Sequence, residues 1–291
     1  MSRGLDHIVH AVRDLDAAAD FYRRLGFTIG ARNRHPWGTH NHIVQLPGVY
    51  IELLTVAEPE KIEPHNGRFF SFGAFHRDVL LHEQGLDMIL LDGRNAEADA
   101  AAFRTAGIGD FEIFNFEREG KQPDGRIVKL AFSLVYARDP KAPDVGFVTC
   151  QHHFPENFWN PAFQQHANGV TDIAGAVMIA DNPSDHHIFL SAFTGERDLQ
   201  STSTGITVTT PRGDIQVMTP ASYTDHFDLA APDVARGARL GALRLTCPDL
   251  SVVEACLSAG RVEAKHHMGR LIVPPSLAHG AAMIFEAATA R

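Results

Sequence analysis

At 291 residues, with 44% hydrophobic and 21% charged side chains, the chain has the composition of a folded protein long enough for two domains. A formal charge of −9 without any basic block argues against nucleic acid and anionic membrane as partners, because both require clustered Lys and Arg. No run approaches the roughly 18 apolar residues of a spanning helix. The opening MSRGLDHIVHAVRDLD has no apolar leader core, and Cys150, Cys247 and Cys256 form no CxxC pair, so a cytoplasmic protein with reduced thiols is expected.

The first segment, LDHIVHAVRDLDAAADFYRRLGF, reads as a strand and a helix. Leu5 to Val12 is apolar, Asp14 offers a carboxylate to the free N–H groups of a helix start, and Ala18, Phe21, Tyr22 and Leu25 recur at helical spacing. Gly26 closes the helix. Three strands follow, around Thr28 to Arg34, in HNHIVQL and in VYIELLTV, with the glycine of LPGV turning the chain between the last two. The pattern returns in LDMILLDGRNAEADAAAFRTAGI, with a cap near Asn95 and a closing Gly107. Its strands are FEIFNFERE, IVKLAFSLVYA and VGFVTCQHH, and the DG of QPDG turns a hairpin. A third copy, IAGAVMIADNPSDHHIFLSAFTG, ends at Gly195 and leads into GITVTT and GDIQVMT. The fourth, LGALRLTCPDLSVVEACLSAGRV, ends at Gly260 and leads into RLIVPP and AAMIFEA.

Four repeats of strand, helix and strands make the chain a tandem of βαβββ modules, an α+β fold. Between the first two modules lies a connector, Glu58 to Gln84, whose second part (SFGAFHRDVLLHEQ) is predicted to be helical. A second connector, PENFWNPAFQQHANG, places a domain boundary near Asn168, giving domains 1–168 and 169–291.

The segment LDHIVHAVRDLDAAADFYRRLGF with YIELL resembles the vicinal oxygen chelate superfamily of glyoxalase I, fosfomycin-resistance and bleomycin-binding proteins and extradiol dioxygenases. WGTHNHIVQLPGVYIELL is similar to its glyoxalase-like branch. The first module carries the specific motifs; the other three match by pattern, and together they cover nearly the whole chain. The resemblance implies that modules pair into two cupped mixed-sheet domains with helices on the outside. It also implies metal ligands on the first and last strands, facing into a cup. Those positions fall on His7, within LDHIV, and Glu52, within YIEL. In the second module the first-strand position is Met88, a departure from the family pattern. Aligning PGVYIEL with PDVGFVTC sets Glu52 against Val148, and alternation then turns Val148, Cys150 and His152 inward. His152 becomes the third ligand, and a bulge or one-residue slip would exchange it for His153. His42, in HNHIVQL, is a candidate to stand behind the ligands, with His40 at the same parity. In the last two modules the first-strand positions fall on Ala174 or Ala176 and on Gly241 or Ala242. Glu286 has no histidine opposite, so the C-terminal half is expected to be structural or substrate-covering. The pairs His186–His187 and His266–His267 are expected at the surface.

Two imidazoles and a carboxylate suit one divalent ion, Fe(II), Mn(II), Ni(II) or Zn(II), and leave positions open for a small substrate with vicinal oxygens. Glu52 as both ligand and catalytic base would serve an isomerase or lyase; a further histidine near the metal would serve a ring-cleaving dioxygenase. Both outcomes stay open at this level. The alternative is a metal-free small-molecule-binding protein of the bleomycin-resistance type, which Met88 favours. Modules of this kind often dimerise, which makes a homodimer an expectation.

Overall fold

The computed structural model describes residues 2–122 and 125–288. Its first half runs β1 (Leu5–Ala11), α1 (Leu15–Arg24), β2 (Asn33–Arg34), β3 (Thr39–Leu46), β4 (Val49–Val56), α2 (Phe72–Leu80), β5 (Gly85–Asp92), α3 (Ala96–Ala106), β6 (Phe114–Lys121), β7 (Ile127–Ala137), β8 (Gly146–His152) and α4 (Pro155–Phe158). The second half runs β9 (Asp172–Ile179), α5 (His187–Thr194), β10 (Leu199–Thr202), β11 (Gly205–Thr209), β12 (Asp214–Met218), α6 (Pro220–Phe227), β13 (Arg239–Cys247), α7 (Leu250–Ala259), β14 (Lys265–His267), β15 (Arg270–Val273) and β16 (Ala282–Ala287). Helix starts follow the local chemistry: Asp14 accepts from the Ala17 N–H and Asn95 from the Ala98 N–H, and Gly107 ends α3 at a left-handed φ of 70°. The sequence reading did not place β10, β14 or α6. It also made the strand before β3 too long, since only Asn33–Arg34 pair there. Pro123 and Asp124 of the expected QPDG turn lie outside the described residues.

Each half forms one eight-stranded sheet, ordered β2-β3-β4-β1-β5-β8-β7-β6 and β10-β11-β12-β9-β13-β16-β15-β14. In the first, β1 runs parallel to β4 and antiparallel to β5; β9 does the same with β12 and β13 in the second. Two modules therefore share each sheet through their first strands. Alternation gives each sheet two apolar faces. On the outer faces Ile8, Phe21, Phe103, Phe193, Leu243 and Leu257 belong to one continuous core, which takes in α1, α3, α5 and α7. The helices thus cover the outside of each cup, and the two cups meet back to back across them. Separate apolar clusters fill the concave faces, Val9, Phe72, Leu90, Phe132 and Val148 in the first and Val177, Tyr223, Phe227 and Ile284 in the second.

Register settles the silent modules. Where His7 neighbours Tyr50, the third module has Gly175 beside Asp214 and the fourth has Ala242 beside Ala282. The expected Ala174 or Ala176 is thus corrected to Gly175, because Ala174 is the extra residue at a register shift, and the Gly241-or-Ala242 choice falls on Ala242.

Buried polar contacts tie the halves together. Arg3 donates to Asp99 Oδ1 at 2.6 Å and to the Phe193 carbonyl at 2.9 Å. His186, expected at the surface, is buried with Nδ1 2.6 Å from the Asp139 carboxylate, because the 3-10 turn Pro183–His186 rotates it inward; His187 stays exposed. His10 donates from Nε2 to the His279 carbonyl at 3.0 Å, with Nδ1 2.9 Å from the Tyr22 hydroxyl. Beside it the chains approach so closely that a Cβ on Gly280, at φ +90°, would lie 1.8 Å from the Gln84 carbonyl oxygen.

Burial pushes the His10 pKa down to about 4. A histidine that is neutral when folded and titrates normally when unfolded contributes its full stability above about pH 6.5, and that contribution is lost as pH falls toward 4. The loss amounts to about 3 kcal/mol. Urea unfolding at pH 7.5 and pH 4.5 is expected to show a smaller acid penalty in His10→Gln than in the wild type; an equal penalty would contradict this account.

Candidate active site

β1 does not alternate throughout. Leu5 pairs with Leu91 and His7 with Leu90, so Asp6 is the extra residue of a β-bulge. Leu5 and Ile8 stay in the outer core, while Asp6 and His7 both face the first cup. Glu52 arrives from β4, paired with Val9 on one side and Ile43 on the other. The result is a buried chain of polar contacts. His7 Nδ1 lies 2.5 Å from Asp6 Oδ2, and His7 Nε2 lies 3.5 Å from Glu52 Oε2. The Tyr50 ring stacks on His7 with centroids 4.1 Å apart, its hydroxyl 3.4 Å from Nε2. Asn41 Nδ2 donates to Glu52 Oε1 at 2.5 Å and lies 3.3 Å from His35 Nε2. On the far side His152 Nε2 stands 3.1 Å from Asp6 Oδ1.

Two carboxylates thus enclose one imidazole. Burial alone would raise the Asp6 pKa, but His152 and His7 outweigh it and hold the carboxyl well below its usual range. Burial is likewise outweighed at Glu52, where the His7 contact and charge, with His35 and Asn41, bring the pKa down to about 2. For His7, burial favours the neutral ring, yet hydrogen bonding to Asp6 and Glu52 wins and the pKa rises. Burial, with Asp6, Cys150 and Glu52 nearby, keeps Tyr50 a phenol.

These groups open on a small chamber, about 40 Å³, that is open on one side. Trp37, Phe72, Phe116, Phe132 and Phe158 wall it, and Phe158 reaches it from the second connector, whose backbone is held by Gln45.

The structure brings His7 and Glu52 together. The alignment of Glu52 with Val148 holds, since Val9 pairs with Glu52 as Leu90 pairs with Val148. Cys150 and His152 face the cup, but His152 reaches Asp6 instead of joining Glu52, and its Nδ1 is buried without a partner. His153 is exposed and bonds Ser133, so it is removed from the site. His42 is corrected as well. It pairs with Leu53 on the outer face and lies 2.8 Å from the Gly30 carbonyl, and the inward residues of β3 are Asn41 and Ile43. Asp6, Asn41, Tyr50 and His35 were missed. One signal was available for Asp6: LDHIV and LDMIL both place an aspartate inside an apolar strand, and Asp87 is the extra residue of a matching bulge in β5.

His7 Nε2 and Glu52 Oε2 are spaced as two ligands of one divalent ion would be. Ligands held at about 2.1 Å lie about 3 to 3.5 Å apart, the spacing of His7 Nε2 and Glu52 Oε2. A carboxylate on the other imidazole nitrogen is the usual means of orienting a metal-binding histidine. Among the described residues, Asp6, His7 and Cys150 form the group whose donor atoms all lie within 4.8 Å of one another.

Paired βαβββ modules forming a cup with a histidine–carboxylate centre define a class, the vicinal oxygen chelate superfamily. The glyoxalase-like domain family matches residues 5–194, and the chain belongs to it. No match to this sequence is found among curated proteins. Solved structures share the fold at low identity. A hypothetical protein from Staphylococcus aureus has a TM-score of 0.70 at 14% identity, covering 98% of this chain and 100% of that one. The Mn(II)-bound glyoxalase from Novosphingobium aromaticivorans has 0.56 at 11%, covering 99% and 83%. A variant of 4-hydroxymandelate synthase from Streptomyces coelicolor has 0.59 at 9%, covering 99% and 94%.

Asp6→Ala would leave His7 and His152 buried without their shared acceptor. Urea unfolding at pH 7.5 is expected to show a loss of about 3 to 5 kcal/mol; a loss below about 1 kcal/mol would show that the carboxylate does not hold the site together.

Proposed function

We propose that the chain is a divalent-metal enzyme of the vicinal oxygen chelate type, acting on a small substrate with adjacent oxygens. The approach of His7 Nε2 to Glu52 Oε2 in an aromatic-walled chamber, with Asp6 holding the other nitrogen of the imidazole, carries this reading. His7 and Glu52 would hold the ion, and when bound it supplies Lewis acidity to the substrate's oxygens. Asp6 keeps the proton of His7 on Nδ1 and so aims Nε2 into the chamber. Asn41 fixes Glu52 Oε1, and Tyr50 retains an O–H for a bound oxygen. The aromatic walls limit the access of water, which strengthens each of these interactions. His152 braces Asp6 in this reading and is not a ligand. Glu52 is held as a carboxylate beside His7, the form a ligand requires.

A second reading, a metal-free binding protein of the bleomycin-resistance type, has one observation in its favour. Met88 and Gly146 stand where His7 and Tyr50 stand in the first module, so the internal repeat supplies no second set of donors.

Elemental analysis of protein purified without chelator or affinity-tag metal separates the two. The enzyme reading expects about one equivalent of divalent metal, lost in His7→Ala and Glu52→Ala. In His152→Ala it expects metal retained with affinity lowered about 10- to 100-fold. Wild type that stays metal-poor after reconstitution, or His7→Ala that binds as well as wild type, would overturn it. With metal bound, oxygen uptake with catechols against turnover of hemithioacetals under nitrogen assigns the chemistry.

A further inference from the structure

The chamber has one permanent cation. Among the described residues that line it, Arg118, on the edge strand β6, is the single Lys or Arg. Its guanidinium makes one hydrogen bond, from Nη1 to the Glu119 carbonyl at 3.3 Å, and forms no ion pair with the described residues. The acids of the chamber do not meet it: Asp6 is engaged by His7 and His152, Glu52 by His7 and Asn41. Burial draws the Arg118 pKa down, against the attraction of Tyr50 and Glu52. The half-buried guanidinium keeps donors that no described protein group uses, and its planar fork suits a carboxylate.

Position says what kind of anion. Arg118, Ile43 and Phe158 line both the chamber and a second, larger cleft of about 320 Å³ outside it. Arg118 therefore stands in the partition between the metal-capable centre and the outer cleft. Among the described residues the cleft offers amides, Asn33, Gln45, Gln122, Asn157 and Asn160, one acidic side chain, Glu119, and a second cation, Arg32, which is already paired with Asp16 at 2.8 Å. On the chamber side Phe116 stacks on Phe132, and Phe158 lies edge-on to it. Flat apolar walls leading to a cation without a carboxylate partner among the described residues suit a planar apolar body carrying one negative charge.

We propose that Arg118 recognises the carboxylate of the substrate, which is a small carboxylic acid with a flat apolar body. Its anionic end is held at the partition and the rest lies along the aromatic wall. The proposal rests on the enzyme reading only for where the reacting end goes; binding of the acid to Arg118 requires no metal.

The chain's two tryptophans report on this place, Trp37 in the chamber wall and Trp159 stacked on His152. Fluorescence titration with phenylacetate and with phenylacetamide, the neutral molecule of the same shape, reads the preference for charge directly. Wild type is expected to bind the acid about tenfold or more tightly than the amide. In Arg118→Gln the ratio is expected to fall to about one with amide binding unchanged, and in Arg118→Lys to lie between. A wild-type ratio near one, an undiminished preference in Arg118→Gln, or absence of binding by both at millimolar concentration would overturn the proposal. Metal content does not enter this ratio, so failure of the enzyme reading and failure of this one are seen separately.

Discussion

The site depends on one buried carboxylate. Asp6 holds His7 through Oδ2, at 2.5 Å, and His152 Nε2 lies 3.1 Å from its Oδ1 and 3.3 Å from its Oδ2, with all three side chains nearly inaccessible to water. An isolated ion at that depth would be strongly disfavoured; it persists because two imidazoles face it. Its place beside His7 in the cup depends on the bulge, since with Leu5 in the outer core strict alternation in β1 would turn Asp6 inward and His7 outward. One extra residue in one strand therefore determines which way His7 points, and with it whether Nε2 can meet Glu52.

The internal repeat shows how the same scaffold was put to other uses. β5 repeats the bulge, and Asp87 lies 2.6 Å from His76 Nδ1, but Met88 replaces the inward histidine. Met88 packs so tightly on Gly146 that a Cβ there would lie 2.6 Å from its methyl carbon. That half of the cup is filled by side chains, and α2 of the first connector, bearing Phe72 and Phe75, closes it. In the second sheet the place of Glu52 is taken by Gln216. Arg244 donates to Gln216 and to Glu286, and Arg270 also donates to Glu286, so that centre is neutralised by its own side chains. Glu286 has arginines for partners where a metal site would need histidines. The proposed chemistry accordingly belongs to the first cup.

Much of this was legible in the sequence, and the reason differs from element to element. Caps, closing glycines and strand periodicity are local, which is why Asp14, Asn95 and Gly107 were found from a few neighbouring residues. His7 and Glu52 came from a family motif confined to the first module. Asp6 was missed because a bulge is a property of strand pairing and not of the strand itself. His42 was misassigned because HNHIVQL places polar residues at both parities, and only pairing with β4 shows that Asn41 is the inward one. Arg118 lies on an edge strand whose exposed and half-buried positions give no sign of a chamber. His186 looked like a surface residue because its partner, Asp139, belongs to the other half of the chain.

The central claim is that a single imidazole, His7, aimed by Asp6, holds the metal together with Glu52. Electron spin-echo envelope modulation of the Mn(II)-loaded protein counts directly coordinated imidazole nitrogens. The account predicts one such nitrogen, lost in His7→Gln and kept in His152→Gln. Two coordinated imidazoles, or a nitrogen signal that persists in His7→Gln, would contradict it.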